Sequence, residues 1–178
     1  MLNEQLTEEL EIMEQQSRPP RQLHADTFDR PLADLCRWAL RSVPITATIG
    51  DAITVMQKHR VGAILVVEGE QMRGIVTERD MLMKVLGKIP DYVGLPITSI
   101  MTANPTWLLK EDGIKYAVHH MHVGGYRHIP VLDEHGKPAH IVSVRDVLGY
   151  IAEHFPQEVL NVPSEPTRTS TPPDAPGS

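Results

Sequence analysis

Two seven-residue stretches decide the fold of this chain: GIVTERD at residues 74–80 and HIVSVRD at residues 140–146. Each is a short apolar run that ends in a hydroxyl residue, and each has an aspartate three positions after that residue. The β-branched run is typical of a strand, and the polar residues behind it are typical of a helix start. The two stretches therefore indicate a strand-to-helix unit that occurs twice.

The similarity between the two halves extends well beyond these stretches. Residues 48–68 align with residues 113–133 at a constant offset of 65 and without a gap. One extra residue in the turn that follows raises the offset to 66 at the two quoted stretches. An internal repeat bears more strongly on the fold than any local propensity does. The two halves are therefore expected to form the same structural unit.

Each unit shows the same order of predicted elements. An extended segment leads into a helix with apolar residues at i, i+3, i+4 and i+7; two strands joined by a polar turn follow, and a final helix at 78–88 or 144–155 completes the unit. The predicted fold class is α/β (α+β), with two βαββα repeats. Because a unit of about 60 residues is marginal alone, we expect the two to pack about a pseudo-twofold axis.

The predicted organisation has four segments. They are an acidic amphipathic arm at 1–31, the first repeat at 32–92, the second repeat at 93–155 and a disordered, proline-rich tail at 156–178. The tail is expected to be disordered because it has too few apolar residues to offset the entropy of ordering.

The composition excludes several classes of protein. Residues 31–155 carry 13 basic and 13 acidic side chains, so the net charge of −6 comes from the two ends of the chain, and no basic surface for nucleic acid is expected. No stretch approaches the roughly 18 apolar residues of a membrane helix, so no membrane association is expected. Cys36 is the single cysteine, which rules out an intrachain disulfide and favours a cytoplasmic location.

The polar residues of the two stretches have a simple structural explanation. Thr77 with Asp80, and Ser143 with Asp146, match a capping box, in which a hydroxyl and a carboxylate satisfy backbone N–H groups at a helix start. A helix start with a hydroxyl is also a favourable phosphate site, and a neighbouring aspartate is able to bind a ribose diol. Cap and ligand site both stay open as interpretations, because a carboxylate has lone pairs for both.

The doubled unit, the two stretches and RHIPVLD at residues 127–133 resemble a tandem pair of cystathionine β-synthase (CBS) domains, also called a Bateman module. The resemblance covers roughly residues 32–154. It implies a two-unit disc with two pseudo-symmetric clefts, and binding of an adenosine-containing ligand such as AMP, ADP, ATP, NAD or S-adenosylmethionine. The expected ligand is AMP or ATP, with no cofactor required.

The resemblance also implies roles for residues at the clefts. Asp80 and Asp146 would bind ribose hydroxyls, and Thr77 and Ser143 would face ribose or phosphate. The other candidates that it implies are Ile75, Val76, Ile141 and Val142 for backbone and apolar contacts to adenine, and Arg127 and His128 for phosphate. Arg79 and Arg145 hold the same place directly before each aspartate, and this position leaves phosphate contacts and surface ion pairs open as alternatives.

Two departures from the family pattern predict unequal clefts. His140 stands where the family usually has glycine, whereas the first copy keeps Gly74. The first copy also has only glycine and alanine at the positions of Arg127 and His128. We therefore expect one good nucleotide site and a second that is weak or empty.

A run of histidines, His119, His120 and His122, suggests a metal site, since His119 and His122 are one turn apart, but no third ligand stands out beside these two. The expected alternative is a solvated or interfacial histidine patch, and no metal is assigned.

The final helix of the first unit has apolar residues over about 200° of arc, more than one core requires. This excess predicts a homodimer, with burial by the N-terminal arm as the alternative. No catalytic constellation stands out, so the chain is not expected to be an enzyme, and an enzyme acting on nucleotides is the least favoured hypothesis. The leading hypothesis is a small-molecule sensor that signals to a regulated protein in trans, and the second is a ligand-free dimeric scaffold.

Overall fold

The computed structural model of the chain describes residues 25–154. The amphipathic helix predicted for the first 16 residues and the proline-rich tail lie outside the described residues.

The first unit consists of strands, helices and one π-helical segment in the predicted order. These are β1 (Ser42–Pro44), α1 (Ile49–His59), β2 (Ala63–Glu68), β3 (Gln71–Thr77), the short α2 (Glu78–Asp80) and the π-helix (Met81–Val85). A short strand, β4 (Thr102–Ala103), comes later in the chain and completes the sheet of this unit.

The second unit repeats the same plan. Its elements are β5 (Leu108–Leu109), α3 (Ile114–Gly124), β6 (His128–Leu132), β7 (Pro138–Ser143) and α4 (Val144–His154). The chain therefore runs through βαββα twice, which confirms the predicted fold class.

Each unit has its own small sheet. The first sheet has the order β1-β2-β3-β4 and the second has the order β5-β6-β7. The leading strand is parallel to the next one in both sheets, since the connection passes through a helix, and the hairpin strands are antiparallel. In both sheets the hairpin register shifts at equivalent points, between Val66 and Val67 and between Val131 and Leu132.

Short segments that precede each unit in sequence pack on the other unit. The amide of Leu32 donates to the carbonyl of Asp112 at 2.8 Å, and the amide of Ile97, 65 residues later, donates to the carbonyl of Ala47 at 2.9 Å. Each unit is thereby hydrogen-bonded to a segment that precedes the other unit in sequence, and the exchange is reciprocal. We call residues 31–35 and 96–100 the exchanged segments.

The exchanged segments contribute to two separate cores. Leu32 and Leu35 are buried with apolar residues of the second unit, including Ile114 and Val131. Ile97 and Ile100 are buried with the core of the first unit in the same way. Neither core is complete without a segment that the sequence places next to the other unit.

The final helix of the first unit differs from the prediction. A single helix was expected over 78–88, but one α-helical turn gives way to the π-helix, and Leu86 is already extended. The amide of Leu86 bonds to the carbonyl of Met81 at 3.0 Å, which is the five-residue spacing of a π-helix. Gly87, two residues beyond the π-helix, has a positive φ of 72° and stops the helix there.

Candidate functional site

Both predicted capping boxes are present. The backbone N–H and the hydroxyl of Thr77 donate to Asp80 Oδ2 at 2.9 and 2.7 Å, and the amide of Asp80 donates back to Thr77 Oγ1 at 3.3 Å. The backbone N–H and the hydroxyl of Ser143 donate to Asp146 Oδ2 at 2.7 and 2.6 Å, and the return bond to Ser143 Oγ is 3.3 Å. In each box one oxygen of the carboxylate is committed to the cap, and the other points elsewhere.

A third capping box, which the sequence analysis did not single out, begins α1. Thr48 and Asp51 make the same three contacts, at 2.9, 2.8 and 3.1 Å, and these hydrogen bonds lower the pKa of Asp51. The equivalent residue in the second unit is Gly113, which provides no side-chain cap. Cap geometry by itself therefore does not mark a ligand site.

The faces of β3 and β7 divide the apolar candidates into two pairs. Ile75 is buried where the two sheets meet, and Ile141 packs against the same cluster. Val76 and Val142 point the other way, into the cores of the first and second unit. Only the isoleucine side chains therefore lie at the junction, and the two valines have only their backbone to offer a ligand there.

His128 is the candidate that connects the two units. A Cβ placed on Gly62 would lie 3.4 Å from His128 Cε1 and 3.2 Å from Glu78 Oε2, so the imidazole and this carboxylate face the same small space. Burial lowers the pKa of His128, with a further contribution from Arg127, while the charges of Glu78 and Asp146 oppose the shift. The second unit thus places an imidazole beside the helix start of the first.

The three candidate arginines lie on the surface near the helix starts. Arg79, Arg127 and Arg145 are exposed, and within residues 25–154 none of them has a carboxylate within 4.0 Å. The carbonyl of Arg127 accepts from the amide of Val144, which fixes the backbone between β6 and α4. Among the described residues, the surface ion pairs considered for Arg79 and Arg145 are therefore not formed.

His140, which replaces the glycine of the first unit, has its side chain on the core side of the second sheet. A Cβ on Gly74 would lie 2.8 Å from the carbonyl oxygen of Thr102 and 2.9 Å from Met101 Sδ, so the first unit has no room for a side chain there. In the second unit the position of Met101 is taken by the shorter Cys36. His140 is 5% exposed, and its Nδ1 has no hydrogen-bond partner among the described residues.

Burial also shifts the pKa values of the two groups at this position. It raises the pKa of Cys36 to about 11, against a smaller opposing effect of Lys110. It lowers the pKa of His140, against the charge of Asp146 and a hydrogen bond to the backbone of Trp38. The thiol and the imidazole are therefore both held in their neutral forms.

Lys84 is the residue near the motifs that sequence reasoning missed. Its Nζ lies 2.7 Å from Asp80 Oδ1 and 2.6 Å from the carbonyl oxygen of Ile100. The signal was available, since Lys84 follows Asp80 by four residues and the equivalent position of the second unit is Tyr150. An aspartate and a lysine at this spacing are common on helices, however, and the pattern is not specific.

Two further features are the histidine run and a groove whose lining includes Glu78 of the first motif. The rings of His119 and His120 are 5.7 Å apart, edge to face, and within residues 25–154 no three potential metal ligands converge. A groove of about 570 Å³ opens on the helical side of the first unit, between α1, the π-helix and Tyr92. No helix among the described residues is both long and apolar enough to cross a bilayer.

Comparison with known proteins agrees with this architecture. The sequence profile of the CBS domain matches twice, at residues 32–87 and 97–153, and so covers more than half of the chain. The chain belongs to the CBS domain family. Both matches begin at an exchanged segment and end in or shortly after the last helix of a unit, so the two units are a tandem CBS pair.

Relatives of the CBS pair occur in plants and archaea. The CBS domain-containing protein CBSCBSPB1 of Arabidopsis thaliana is 33% identical over 93 residues, which are 52% of this chain and 17% of the relative. An uncharacterized protein of Methanopyrus kandleri is 35% identical over 107 residues, 58% of this chain and 53% of the relative. The chain thus spans between about a sixth and a half of the length of these relatives.

A solved structure extends the comparison to the fold. A CBS domain protein from Pyrobaculum aerophilum, solved in complex with AMP, superimposes with a TM-score of 0.63 at 26% identity. The match covers 69% of this chain and 96% of that protein. The predicted family is therefore confirmed by sequence and by structure.

Proposed function

We propose that this CBS pair is a regulatory module that binds an adenosine nucleotide where its two units meet. The observation that carries the proposal is the placement of Asp146: one carboxylate oxygen is committed to the helix cap, and the other has no bonding partner among the described residues. A carboxylate held in this way is preorganised to accept hydrogen bonds from a ribose diol. The AMP found in the relative from Pyrobaculum aerophilum supports the same ligand class.

The other candidates fit around that contact. Ile75 and Ile141 would form the apolar wall for adenine, and the backbones of Val76 and Val142 would contribute polar contacts. The phosphate end is assigned to the cationic and imidazole groups near the helix starts, which are Arg79, Arg127, His128 and Arg145. The hydroxyls of Thr77 and Ser143 now donate to their aspartates, so they would meet a ligand only as acceptors unless the cap rearranges.

A nucleotide that touches both units would act on their relative arrangement. Such a ligand shifts an equilibrium only by the difference between its affinities for the two states, which is typically about 1–3 kcal/mol. The module would pass this change to a partner protein, with a homodimer as the working assembly and the cytoplasm as its location. Catalysis has no part in this proposal, because the aspartates hold caps and a ligand rather than a reacting atom.

Thermal unfolding with AMP, ADP, ATP, NAD and S-adenosylmethionine tests the proposal. At about 100 times its Kd, a ligand that binds only the folded chain adds about 2.7 kcal/mol, which raises Tm by roughly 5–10 °C. The double variant Asp80→Asn with Asp146→Asn should lose this rise. Asp51→Asn is the matched control, because it weakens a capping box of the same geometry that belongs to α1 and not to a motif.

The second candidate function is a ligand-free dimeric scaffold. It is favoured by the third capping box, which shows that this chain uses the same geometry for a helix start alone. If none of the five ligands changes the Tm of the unaltered chain, the scaffold is the better account and the nucleotide proposal fails.

A further inference from the structure

The two motif aspartates differ in what their second oxygen contacts. Asp80 Oδ1 is 2.7 Å from Lys84 Nζ, and the same ammonium group also donates to the carbonyl of Ile100 at 2.6 Å. The side chain of Asp80 is only 12% exposed, whereas that of Lys84 is 42% exposed. The lysine therefore covers the carboxylate from the solvent side and is itself held by the backbone of an exchanged segment.

The second unit has no such cation. The residue equivalent to Lys84 is Tyr150, a buried side chain whose hydroxyl donates to the carbonyl of Thr27 at 2.9 Å. Within residues 25–154, Asp146 Oδ1 has neither a hydrogen bond nor a salt bridge. The difference arises from one substitution between equivalent positions of the repeat, and the capping contacts of the two aspartates are otherwise the same.

Because of the contact with Lys84, Asp80 and Asp146 differ in the number of lone pairs that remain to accept hydrogen bonds from a ligand. An ionised carboxylate offers about four acceptor sites, two on each oxygen. In both motifs Oδ2 already accepts two hydrogen bonds from the cap. Asp146 keeps both sites of Oδ1, which is the number that a ribose diol needs, whereas Asp80 has given one of its two to Lys84.

We propose that Lys84 closes the first motif to nucleotides, so that the chain binds one adenosine ligand, at Asp146. This inference rests on the proposed function and assigns the sequence-based expectation of unequal clefts to a specific residue. It makes Lys84 a determinant of occupancy, acting through Asp80 and not by touching the ligand.

Calorimetric titration of the full chain with AMP tests this proposal through its stoichiometry. The unaltered chain should bind one AMP per chain, and Lys84→Met should bind two. Lys88→Met is the matched control, since Lys88 lies four residues further along and donates to the carbonyl of Met83, away from either motif. It should still bind one AMP per chain.

Asp146→Asn separates the two sites. In the unaltered background it should abolish AMP binding, and combined with Lys84→Met it should leave one AMP per chain, held at the first motif. Lys84→Met leaves both caps intact, so its result stands even if Asp146→Asn folds poorly. Two AMP per unaltered chain, or one per Lys84→Met chain, would overturn the inference and leave the proposed function standing. No binding to the unaltered chain would overturn both.

Discussion

At the scale of single residues, strand β7 places its polar side chains in two different environments. Ser143 and Asp146 keep their polar groups at the helix start, where they form the capping box. His140, in the same strand, is buried on the other side, beside the segment that carries Cys36. The side chain that replaces glycine here is therefore buried in the second unit.

The thiol of Cys36 should be unreactive in the folded chain. Its pKa is raised to about 11 from 9.0 by burial. Because the thiolate is the reactive form, alkylation by iodoacetamide near neutral pH should be about 100-fold slower than in the unfolded chain. The two rates are measured in buffer and in guanidinium chloride, and equal rates would show that the thiol is exposed in solution.

His128 and His140 should make the fold less stable in mild acid. Burial lowers the pKa of each below the ordinary value of 6.5, so the unfolded chain binds more protons than the folded chain in the interval between. Stability is then full above about pH 6.5 and declines as the pH falls through the lowered values. The free energy of unfolding, measured with guanidinium chloride at about pH 7.5 and 5.5, should fall less in His140→Gln than in the unaltered chain.

The exposed His135 provides the control for this measurement. It lies in the turn before β7, and His135→Gln should reproduce the pH dependence of the unaltered chain. If His140→Gln also reproduces it, the imidazole of His140 is not held neutral by the fold.

At the scale of elements, the exchanged segments determine how the two units depend on each other. Leu32 and Ile97 occupy equivalent places, 65 residues apart, and each completes the core of the opposite unit. This reciprocity explains why neither unit of about 60 residues has to be stable alone.

Shortening a buried side chain of an exchanged segment should destabilise the unit on which that segment packs. Leu32 and Ile97 are fully buried, so Leu32→Ala and Ile97→Ala should each cost about 2–5 kcal/mol of unfolding free energy. Hydrogen exchange should show the loss of protection first in α3 for Leu32→Ala and first in α1 for Ile97→Ala. The control is Val93→Ala, at a site 59% exposed and outside the proposed dimer contact, which should cost within about 0.5 kcal/mol. Loss of protection confined to the unit next in sequence would contradict the exchange.

The order of elements and the two motifs could be predicted from the sequence, because both correspond to local patterns that recur at a nearly fixed offset. The exchanged segments could not be predicted, because a repeat offset of 65 residues does not determine which of the two units Leu32 packs on. The π-helix was missed for a similar reason, because no residue in Met81–Val85 is incompatible with an ordinary helix. Lys84 was missed because only the three-dimensional contact separates it from the other surface lysines.

At the scale of the whole molecule, both units leave apolar side chains exposed on their helices or directly after them. The first unit exposes Leu82, Met83 and Leu86, and the second exposes Leu148 and Val123. Val118, at the i+4 position of the apolar pattern that begins with Ile114, is also 37% exposed. Exposed large apolar side chains that occur in groups are typical of protein contacts.

The proposed homodimer predicts the effect of charges introduced at these exposed side chains. Light scattering during size-exclusion chromatography should give twice the chain mass for the unaltered protein and the chain mass for Leu82→Glu with Leu148→Glu. The change should not lower Tm beyond the loss of the interface, because both side chains are exposed. Trp107→Glu, at an exposed apolar residue beside β5, should remain dimeric. A monomer for the unaltered chain would contradict the proposal.

The central claim is that the helix starts capped by Asp80 and Asp146 lie where the two units meet, and that Asp146 Oδ1 is available to accept hydrogen bonds from a ribose. A crystal structure of the full chain grown with AMP tests it most directly. We expect one AMP, with both ribose hydroxyls within hydrogen-bond distance of Asp146 Oδ1, and with Lys84 still on Asp80. AMP bound away from both aspartates would contradict the account.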